Sequence, residues 1–263
     1  MVIIDNHSNS TATTMLHNLS CWDSQIYLMI NDDNLGIATA LNQGMQWAKE
    51  RGYQWAILFD QDSIATDSMI EVLQAVYDDY KPKDKIAVIG SNYYEVNSHR
   101  LLKNFKSNGD RLWVKWDTVI TAGSLLSITA FEFIGPFRDE FFIDMVDHEY
   151  CLRAYSKGFK IILACKPLMY HAIGITTTHK LPWQKTITTN HSKFRRYYMA
   201  RNHAVLVREY LFKNPKWILK SLYSRFRSTT LMCFFEKDRL IKLQLMILGA
   251  FDGLTSNFSR KLS

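Results

Sequence analysis

The first part of the chain alternates short apolar runs with stretches in which apolar residues recur at helical spacing. The run at residues 55–59 is apolar throughout and lies between a turn-like segment and an acidic one. Such a run is typical of a strand that is buried on both faces. A second apolar run at residues 86–90 predicts another strand. The alternation indicates an α/β fold, with a mainly parallel sheet and helices on both of its faces.

Two helices of this region are marked by their spacing and their ends. Apolar residues recur at helical intervals over residues 37–48, and Gly52 follows as the expected C-terminal stop. Ser68 and Glu71 have the spacing of a capping box, which predicts a helix beginning there. From about residue 185 onward the pattern becomes helical and basic, and two or three further helices are expected.

The composition is that of a folded enzyme-sized chain. Among 263 residues, 47% are hydrophobic and 13% aromatic, which argues against disorder. The four cysteines are scattered without a C-x-x-C pair, so reduced thiols are expected. The sequence contains neither a signal peptide nor a run of about 18 apolar residues. These features predict a cytoplasmic protein.

Positive charge is concentrated in the last third of the chain. The net charge is +7, and residues 193–227 carry ten basic residues against the single acid Glu209, interleaved with aromatics. This pattern favours helices at an anionic membrane surface, that is, a peripheral protein at the inner face of the plasma membrane. Nucleic-acid binding and an ordinary solvated face are the alternatives, but no nucleic-acid-binding motif is present and no such partner is expected. Residues 1–180 are therefore predicted to form a catalytic domain and residues 181–263 a basic, amphipathic helical region.

Asp60 and Asp62 carry the strongest chemical signal. They follow the apolar run at residues 55–59, and ligands collect beyond the carboxyl ends of strands in α/β sheets. Carboxylates one residue apart can share Mg²⁺ or Mn²⁺, and the metal would hold a diphosphate. The alternative is that Asp62 or Asp67 only begins the next helix.

Further segments follow in a fixed order along the chain: Asp5-Asn6-His7-Ser8, Asn34-Leu35-Gly36-Ile37-Ala38, Asp60-Gln61-Asp62-Ser63 and Phe142-Ile143-Asp144-Met145-Val146-Asp147-His148-Glu149. In order and spacing they resemble the inverting glycosyltransferases of family 2, which have the GT-A fold, and within that family the bacterial rhamnosyltransferases. The resemblance covers about residues 2–175.

The resemblance implies a set of donor-binding residues. Asp5 would contact the nucleotide base, with Asn34 and Gly36 packed nearby; the alternatives are a turn cap for Asp5 and a helix-entry glycine for Gly36. Asp62 would bind the metal directly, and Asp60 would bind it through water or hold the donor sugar or ribose. His171 would reach the metal or the diphosphate, although a lone histidine is more often structural.

The same resemblance implies the catalytic base and a cationic clamp. Asp147 matches the family's general base, and Asp144 is its competitor, with helix N-cap as its alternative role. Residues 195–202 resemble the family's R-x-x-Y-x-x-R-N stretch, which makes Arg201 a candidate for contacting a diphosphate. Which arginine does so is left open by the sequence.

These expectations combine into a metal-dependent rhamnosyltransferase. The donor would be dTDP-L-rhamnose, and the acceptor a lipid-diphosphate-linked glycan of O-antigen or capsule assembly. The family usually begins with another strand and helix, and this chain starts at the second strand, which would leave residues 2–4 with an unpaired apolar edge. The alternatives are a metal-dependent nucleotidyltransferase, which would need a Gly-rich phosphate loop, and a pseudoenzyme that serves as an assembly partner.

Overall fold

A computed structural model describes residues 1–96, 100–105, 111–172, 174, 176–180, 185–260 and 262. The strands are β1 (Val2–Asp5), β2 (Tyr27–Ile30), β3 (Trp55–Leu58), β4 (Ile64–Ala65), β5 (Ile86–Glu95), β6 (Arg100–Leu101), β7 (Trp113–Lys115), β8 (Ser124–Ser127), β9 (Lys160–His171), β10 (Thr177–Lys180) and β11 (Lys185–Thr188). The helices are α1 (Ser10–Trp22), α2 (Ile37–Glu50), α3 (Met69–Asp79), α4 (Ile128–Ile134), α5 (Val146–Ser156), α6 (Lys193–Tyr210), α7 (Pro215–Phe235) and α8 (Arg239–Leu254).

The central sheet is mixed in direction, so the prediction of a mainly parallel sheet is wrong. Its path runs β3-β8-β5-β9-β4, with β6 added to β5 and β7 to β9. β5 and β9 are parallel, whereas the pairs β3–β8, β5–β8, β4–β9 and β7–β9 are antiparallel. An apolar run indicates that a strand is covered on both faces. It does not indicate the direction of the strand, because helices can cover parallel and antiparallel strands alike. The α/β class itself is confirmed.

Helices cover both faces of this sheet, as predicted. Alternate residues of β9 enter opposite cores: Ile161 and Leu163 pack into one, Ile162 and Ala164 into the other. The smaller core is closed by α3, and the larger by α2, α4, α5, the end of α6 and the start of α7. Each fully buried isoleucine or leucine contributes about 1.5–3 kcal/mol. The C-terminal helices thus share a core with the sheet that carries the predicted site.

Two strand edges lie open beside helix α2. β1 and β2 form a separate parallel pair, and neither β1 nor β3 has a second strand partner among the described residues. α2 packs against both strands. The predicted open edge at residues 2–4 agrees with this pairing. β3 is only half-buried, contrary to its prediction, because it is paired along one edge.

The sequence predicted the end of α2 correctly but not the cap at the start of α3. Gly52 adopts φ +74° just after α2, the left-handed conformation that a helix stop favours. Ser68 precedes α3, but its hydroxyl makes no bond to the helix and instead accepts one from Lys166 Nζ at 3.1 Å. The capping box is therefore absent at this helix, because Ser68 has φ −88° and ψ 8°, outside the extended conformation that a capping residue adopts.

Helices α6 and α8 lie in very close contact. Gly249 and Gly253 face α6, and a Cβ at either position would overlap the carbonyl oxygen of Tyr197 or Arg201. Tyr197 also donates a hydrogen bond to Asp252 Oδ2 at 2.7 Å. Across the part of the chain that the structure describes, no helix is both long enough and apolar enough to cross a membrane.

Candidate active site

Asp60, Asp62 and His171 meet at one end of the central sheet. The two aspartates follow β3, and His171 ends β9. The short strand β4 pairs with β9, with Ile64 opposite Tyr170, and this pairing draws the acidic turn beside the histidine. One potential ligand atom from each of the three side chains lies within 4.8 Å of the others. The structure thus brings together the three residues that the sequence predicted as metal ligands.

Ser63 orients the imidazole of His171. Its hydroxyl oxygen lies 2.9 Å from His171 Nδ1, and Asp62 Oδ1 lies 3.6 Å from the same nitrogen. If Nδ1 carries the proton and donates to Ser63, the lone pair of Nε2 is available for a metal. Ser63 was not predicted as a site residue, although its position beside the D-x-D motif could have suggested this role.

The electrostatics of Asp60 fit a cation site. Burial raises the pKa of Asp60, and the negative charges of Asp62 and Asp147 raise it further, while His171 and Arg195 act in the opposite direction. A half-buried carboxylate beside two others favours a neutralising ion. Two carboxylates and an imidazole are acceptable ligands for Mn²⁺, and carboxylates suit Mg²⁺. These residues therefore fit the predicted divalent cation.

Asp147 faces the same site from helix α5. It lies in the first turn of that helix, and its Oδ1 accepts a hydrogen bond from the His148 amide at 2.7 Å. Asp147 and Thr121 line one small cavity. Burial raises the pKa of Tyr93 to about 12, and the charge of Asp147 contributes to that shift as it does at Asp60. The predicted base and the predicted metal ligands are therefore electrostatic neighbours.

Asp144 is held in an ion pair and does not cap a helix. The N-cap of α5 is Met145, so the predicted N-cap role of Asp144 is wrong. Its two carboxylate oxygens accept bonds from Arg195 Nε at 2.9 Å and Nη2 at 3.1 Å. This two-point contact engages Asp144, whereas Asp147 Oδ2 has no hydrogen-bond partner among the described residues.

The segment that carries Asp144, here named the acid loop (residues 139–145), has an unusual backbone. Phe142, Asp144 and Met145 have φ values of +57°, +63° and +62°. Such conformations are uncommon for residues other than glycine and cost on the order of 1–3 kcal/mol each. They persist only where surrounding contacts compensate, and they cluster at functional sites.

Asn202 of α6 supplies much of that compensation. Its side-chain amide donates to the carbonyl oxygens of Phe141, Ile143 and Asp144 at 2.8, 2.8 and 2.9 Å. Asn202 is completely buried. One amide thereby acts as hydrogen-bond donor to three carbonyl groups of the irregular backbone.

Arg201 supports the same loop, which corrects its predicted role as a diphosphate ligand. The side chain is 1% exposed and lies among the rings of Tyr197, Tyr198 and Phe258. It donates to Asn202 Oδ1 at 3.1 Å and to the carbonyl oxygen of Glu140. The guanidinium is engaged by the loop, so the R-N pair of the sequence motif serves to hold the backbone here.

Asp5 and Asn34 belong to a second polar network at the end of β1. Asp5 is buried and its Oδ2 accepts a bond from the Ser8 amide at 3.2 Å, which is the turn-capping alternative. Asn34 Oδ1 accepts bonds from Asn6 Nδ2 and the Gly36 amide, both at 3.0 Å. Among the described residues no hydrogen bond joins this network to Asp60, Asp62 or His171. Nucleotide contact by Asp5 and Asn34 stays a prediction.

Gly36 has a structural reason to be glycine. It adopts φ +85°, and a Cβ at this position would lie 2.6 Å from the carbonyl oxygen of Phe142. The same oxygen accepts a hydrogen bond from the Ile37 amide at 2.6 Å. Gly36 therefore lets the start of α2 touch the acid loop, whatever further contact it makes with a nucleotide.

Comparison with protein families and characterised proteins gives matches that agree with this geometry. A family model described as "Glycosyl transferase family 2" matches residues 1–134. The dTDP-rhamnosyl transferase RfbF of Shigella flexneri is 30% identical over 270 residues, covering 97% of this chain and 86% of that protein.

Solved structures with the same fold are more distant in sequence. S. aureus TarS 1-349 in complex with UDP-GlcNAc matches with a TM-score of 0.61 at 11% identity, over 97% of this chain and 71% of that one. GalNAc-T7 with UDP, GalNAc and Mn²⁺ matches with a TM-score of 0.57 at 15% identity, over 98% of this chain. This chain spans 51% of the GalNAc-T7 chain. At these identities the matches show the fold.

Replacing Asp62 tests the metal site. Asp62→Ala should weaken Mn²⁺ binding at least about tenfold, since a lost charged ligand is worth ~1.5–3 kcal/mol. The measurement is the electron paramagnetic resonance signal of free Mn²⁺ during titration. Asp67→Ala is the matched control, because Asp67 is exposed in the following turn and lies outside the cluster. Equal Mn²⁺ affinity in the parent and Asp62→Ala would refute the assignment.

Replacing Asp60 tests its electrostatic environment. The folded-state pKa of Asp60 is raised, so its charged form opposes folding above the ordinary aspartate pKa. Asp60→Asn should therefore raise the thermal midpoint at pH 7 in metal-free buffer. The gain should shrink as the pH falls through the raised pKa, because the parent carboxyl then becomes neutral. Thermal melts from pH 7 to pH 4 measure this, and a destabilised variant at pH 7 would contradict it.

Proposed function

We propose that this chain, which belongs to glycosyl transferase family 2, transfers L-rhamnose from dTDP-L-rhamnose to a lipid-diphosphate-linked glycan with inversion at the anomeric carbon. The observation that carries the proposal is the cluster of Asp60, Asp62 and His171 at one end of the sheet, with Asp147 close enough for its charge to act on Asp60. The likeness to a dTDP-rhamnosyl transferase along nearly the whole chain supports the choice of donor.

In this proposal the leaving group departs as a nucleotide diphosphate. Asp60, Asp62 and His171 would hold the divalent cation, which when bound would stabilise the charge that develops on the phosphates. Asp5 and Asn34 lie in the network at the end of β1 and would receive the nucleoside. The chain's own contribution is to fix the positions of these groups before the donor arrives.

Asp147 is the residue proposed to accept the proton of the attacking hydroxyl. General-base catalysis needs a carboxylate within hydrogen-bond reach of that hydroxyl. Asp147 Oδ1 is held by the His148 amide, which fixes the carboxylate and leaves Oδ2 for the acceptor. Asp144 is less suited to this role, because both of its oxygens face Arg195.

The general base is tested by Asp147→Asn. This change keeps the size of the side chain but removes its ability to take a proton, so transfer should fall about 10²–10⁴-fold. Product formation from dTDP-L-rhamnose and a detergent-solubilised lipid-linked glycan is followed by mass spectrometry. Binding of the donor nucleotide should change little.

Asp139→Asn is the matched control for this variant. Asp139 is exposed at the start of the acid loop, and an asparagine oxygen can still accept the bonds from Thr39 and Asn42. It should retain transfer close to that of the parent. Full activity of Asp147→Asn beside an inactive Asp144→Asn would move the base to Asp144.

The acceptor's lipid is proposed to lie beneath helix α7. The outer face of α7 exposes large apolar side chains at helical spacing, and Tyr223 and Phe226 are 70% and 72% exposed. The helix contains four basic residues and no acidic one. The neighbouring outer face of α8 exposes Ile247 and Phe251. Contiguous exposed apolar residues beside basic ones are typical of a helix at an anionic membrane surface.

Binding to vesicles tests this surface. Sedimentation with anionic vesicles should weaken as salt rises from 50 to 500 mM, because exposed charges are screened within about 8–10 Å at physiological ionic strength. The double substitution Lys216→Gln and Lys220→Gln, which removes two exposed charges of α7, should weaken vesicle binding further. The control pair Lys81→Gln and Lys85→Gln removes the same charge from exposed positions between α3 and β5. Equal binding to neutral vesicles, or an equal effect of both pairs, would refute the membrane surface.

A further inference from the structure

Arg195 of α6 forms a two-point ion pair with Asp144, and Arg225 of α7 lies close enough for the charge of Asp144 to act on it. We propose that Arg195 and Arg225 form a binding site for a diphosphate, and that its ligand is the diphosphate of the lipid-linked acceptor. Asp144 holds the site when no ligand is bound. The identity of the ligand rests on the proposed function, whereas the existence of an anion site rests on the geometry alone.

The face that α7 turns toward α6 positions Arg225. Ser221 Oγ lies 2.9 Å from His203 Nε2, and Ser228 Oγ lies 3.3 Å from Arg196 Nη1. Arg225 lies between these two contacts at helical spacing, so it is on the same face. Its side chain is half-buried between the two helices.

Arg225 lacks a direct partner in this position. Among the described residues its guanidinium makes no hydrogen bond and no ion pair within 4 Å. Burial lowers the pKa of Arg225, and the nearby Arg196 lowers it further, with only Asp144 acting to raise it. A guanidinium nevertheless stays protonated at neutral pH, so the structure retains a half-buried positive charge. A buried charge without a partner is costly, which is why its presence points to an anionic ligand.

Arg195 completes the site and joins it to the reaction centre. Its fork is paired with Asp144, yet the side chain is 41% exposed. Asp60 and Asp62 also raise the pKa of Arg195, so it lies near the metal cluster. An arginine fork suits a phosphate as well as a carboxylate, so an incoming diphosphate can replace Asp144 as its partner.

The charges around Asp144 leave a surplus that a diphosphate would neutralise. Arg196 is paired with Glu236 at 2.7 Å, with both side chains 1% exposed, and Glu236 also pairs with Lys242 at 2.9 Å, so Glu236 has no charge to spare for Arg225. Asp144 is hydrogen-bonded to Arg195, and in the described part of the chain it is the one carboxylate whose charge acts on Arg225. Burial, with Arg195 adding to its effect, lowers the pKa of His191 to about 4, which makes this neighbouring imidazole neutral at pH 7.

The location of α7 favours the acceptor as the source of the diphosphate. Arg225 faces inward while the next residue, Phe226, is exposed on the proposed membrane side. Since a helix with its side chains is about 10–12 Å across, Arg225 lies within one helix width of that surface. A lipid-linked diphosphate sits at this depth, and its glycan would extend toward Asp147. The donor diphosphate belongs instead beside Asp60 and Asp62.

Binding experiments in neutral detergent micelles test the site without requiring turnover. Arg225→Gln should weaken farnesyl diphosphate binding about tenfold to hundredfold, the usual effect of losing a charged hydrogen-bond partner. It should leave dTDP binding with Mn²⁺ unchanged. Arg111→Gln removes an exposed arginine elsewhere in the chain and serves as the charge-matched control. Both ligands are followed by calorimetric titration.

The possible outcomes separate the parts of the proposal. Unchanged affinity for both ligands in Arg225→Gln would overturn the anion site. A loss of dTDP affinity alone would assign the site to the donor and overturn the acceptor assignment. Absence of rhamnose transfer by the parent protein would refute the proposed function, but it would leave a selective loss of farnesyl diphosphate binding intact as support for the site.

Asp144→Asn gives a second, opposite test. If Asp144 only occupies the arginines, removing its charge should tighten farnesyl diphosphate binding several-fold. A purely structural Asp144 would give unchanged or weaker binding instead. Asparagine tolerates the left-handed backbone found at this residue, with φ +63°, so the variant should fold. Far-UV circular dichroism and the thermal midpoint check that it does.

Discussion

The contact between Asn202 and the acid loop is the interaction on which the candidate active site depends. Three residues of the loop adopt positive φ, and one buried amide satisfies three of its carbonyl groups. The carbonyl oxygen of Phe142 in this loop also accepts a hydrogen bond from the amide of Ile37, the first residue of α2. Because the loop leads directly into α5, this contact helps to position Asp147 relative to the candidate metal ligands.

The C-terminal helices therefore support the candidate active site directly. α6 holds the acid loop through Asn202 and Arg201, and the close packing of Gly249 and Gly253 fixes α6 against α8. α7 reaches α5 by another route, because Trp217 donates to Thr118 and packs against His148, the neighbour of Asp147. A ligand that shifts α6 or α7 would therefore also shift Asp147, the proposed base.

The sequence predicted those features that local chemistry determines. Asp60 and Asp62 were found because strand ends and carboxylate spacing are visible in the residues themselves. His171 was implied by the family resemblance, and the structure brings the three side chains together. Strand direction was missed because apolar runs do not encode it. The role of Arg201 was also missed, since a burial-dependent contact with a backbone carbonyl leaves no trace in spacing. The lack of a direct partner for Arg225 could not be predicted, because it depends on how α6 and α7 pack together.

The proposed chemistry requires one site that binds a divalent cation and a nucleotide diphosphate together. Calorimetric titration of the parent protein with dTDP, in the presence and absence of Mn²⁺, measures this coupling. We expect Mn²⁺ to strengthen dTDP binding, dTDP to strengthen Mn²⁺ binding by the same factor, and UDP to bind more weakly. Nucleotide binding that is indifferent to Mn²⁺, or no binding of dTDP at all, would refute the shared site.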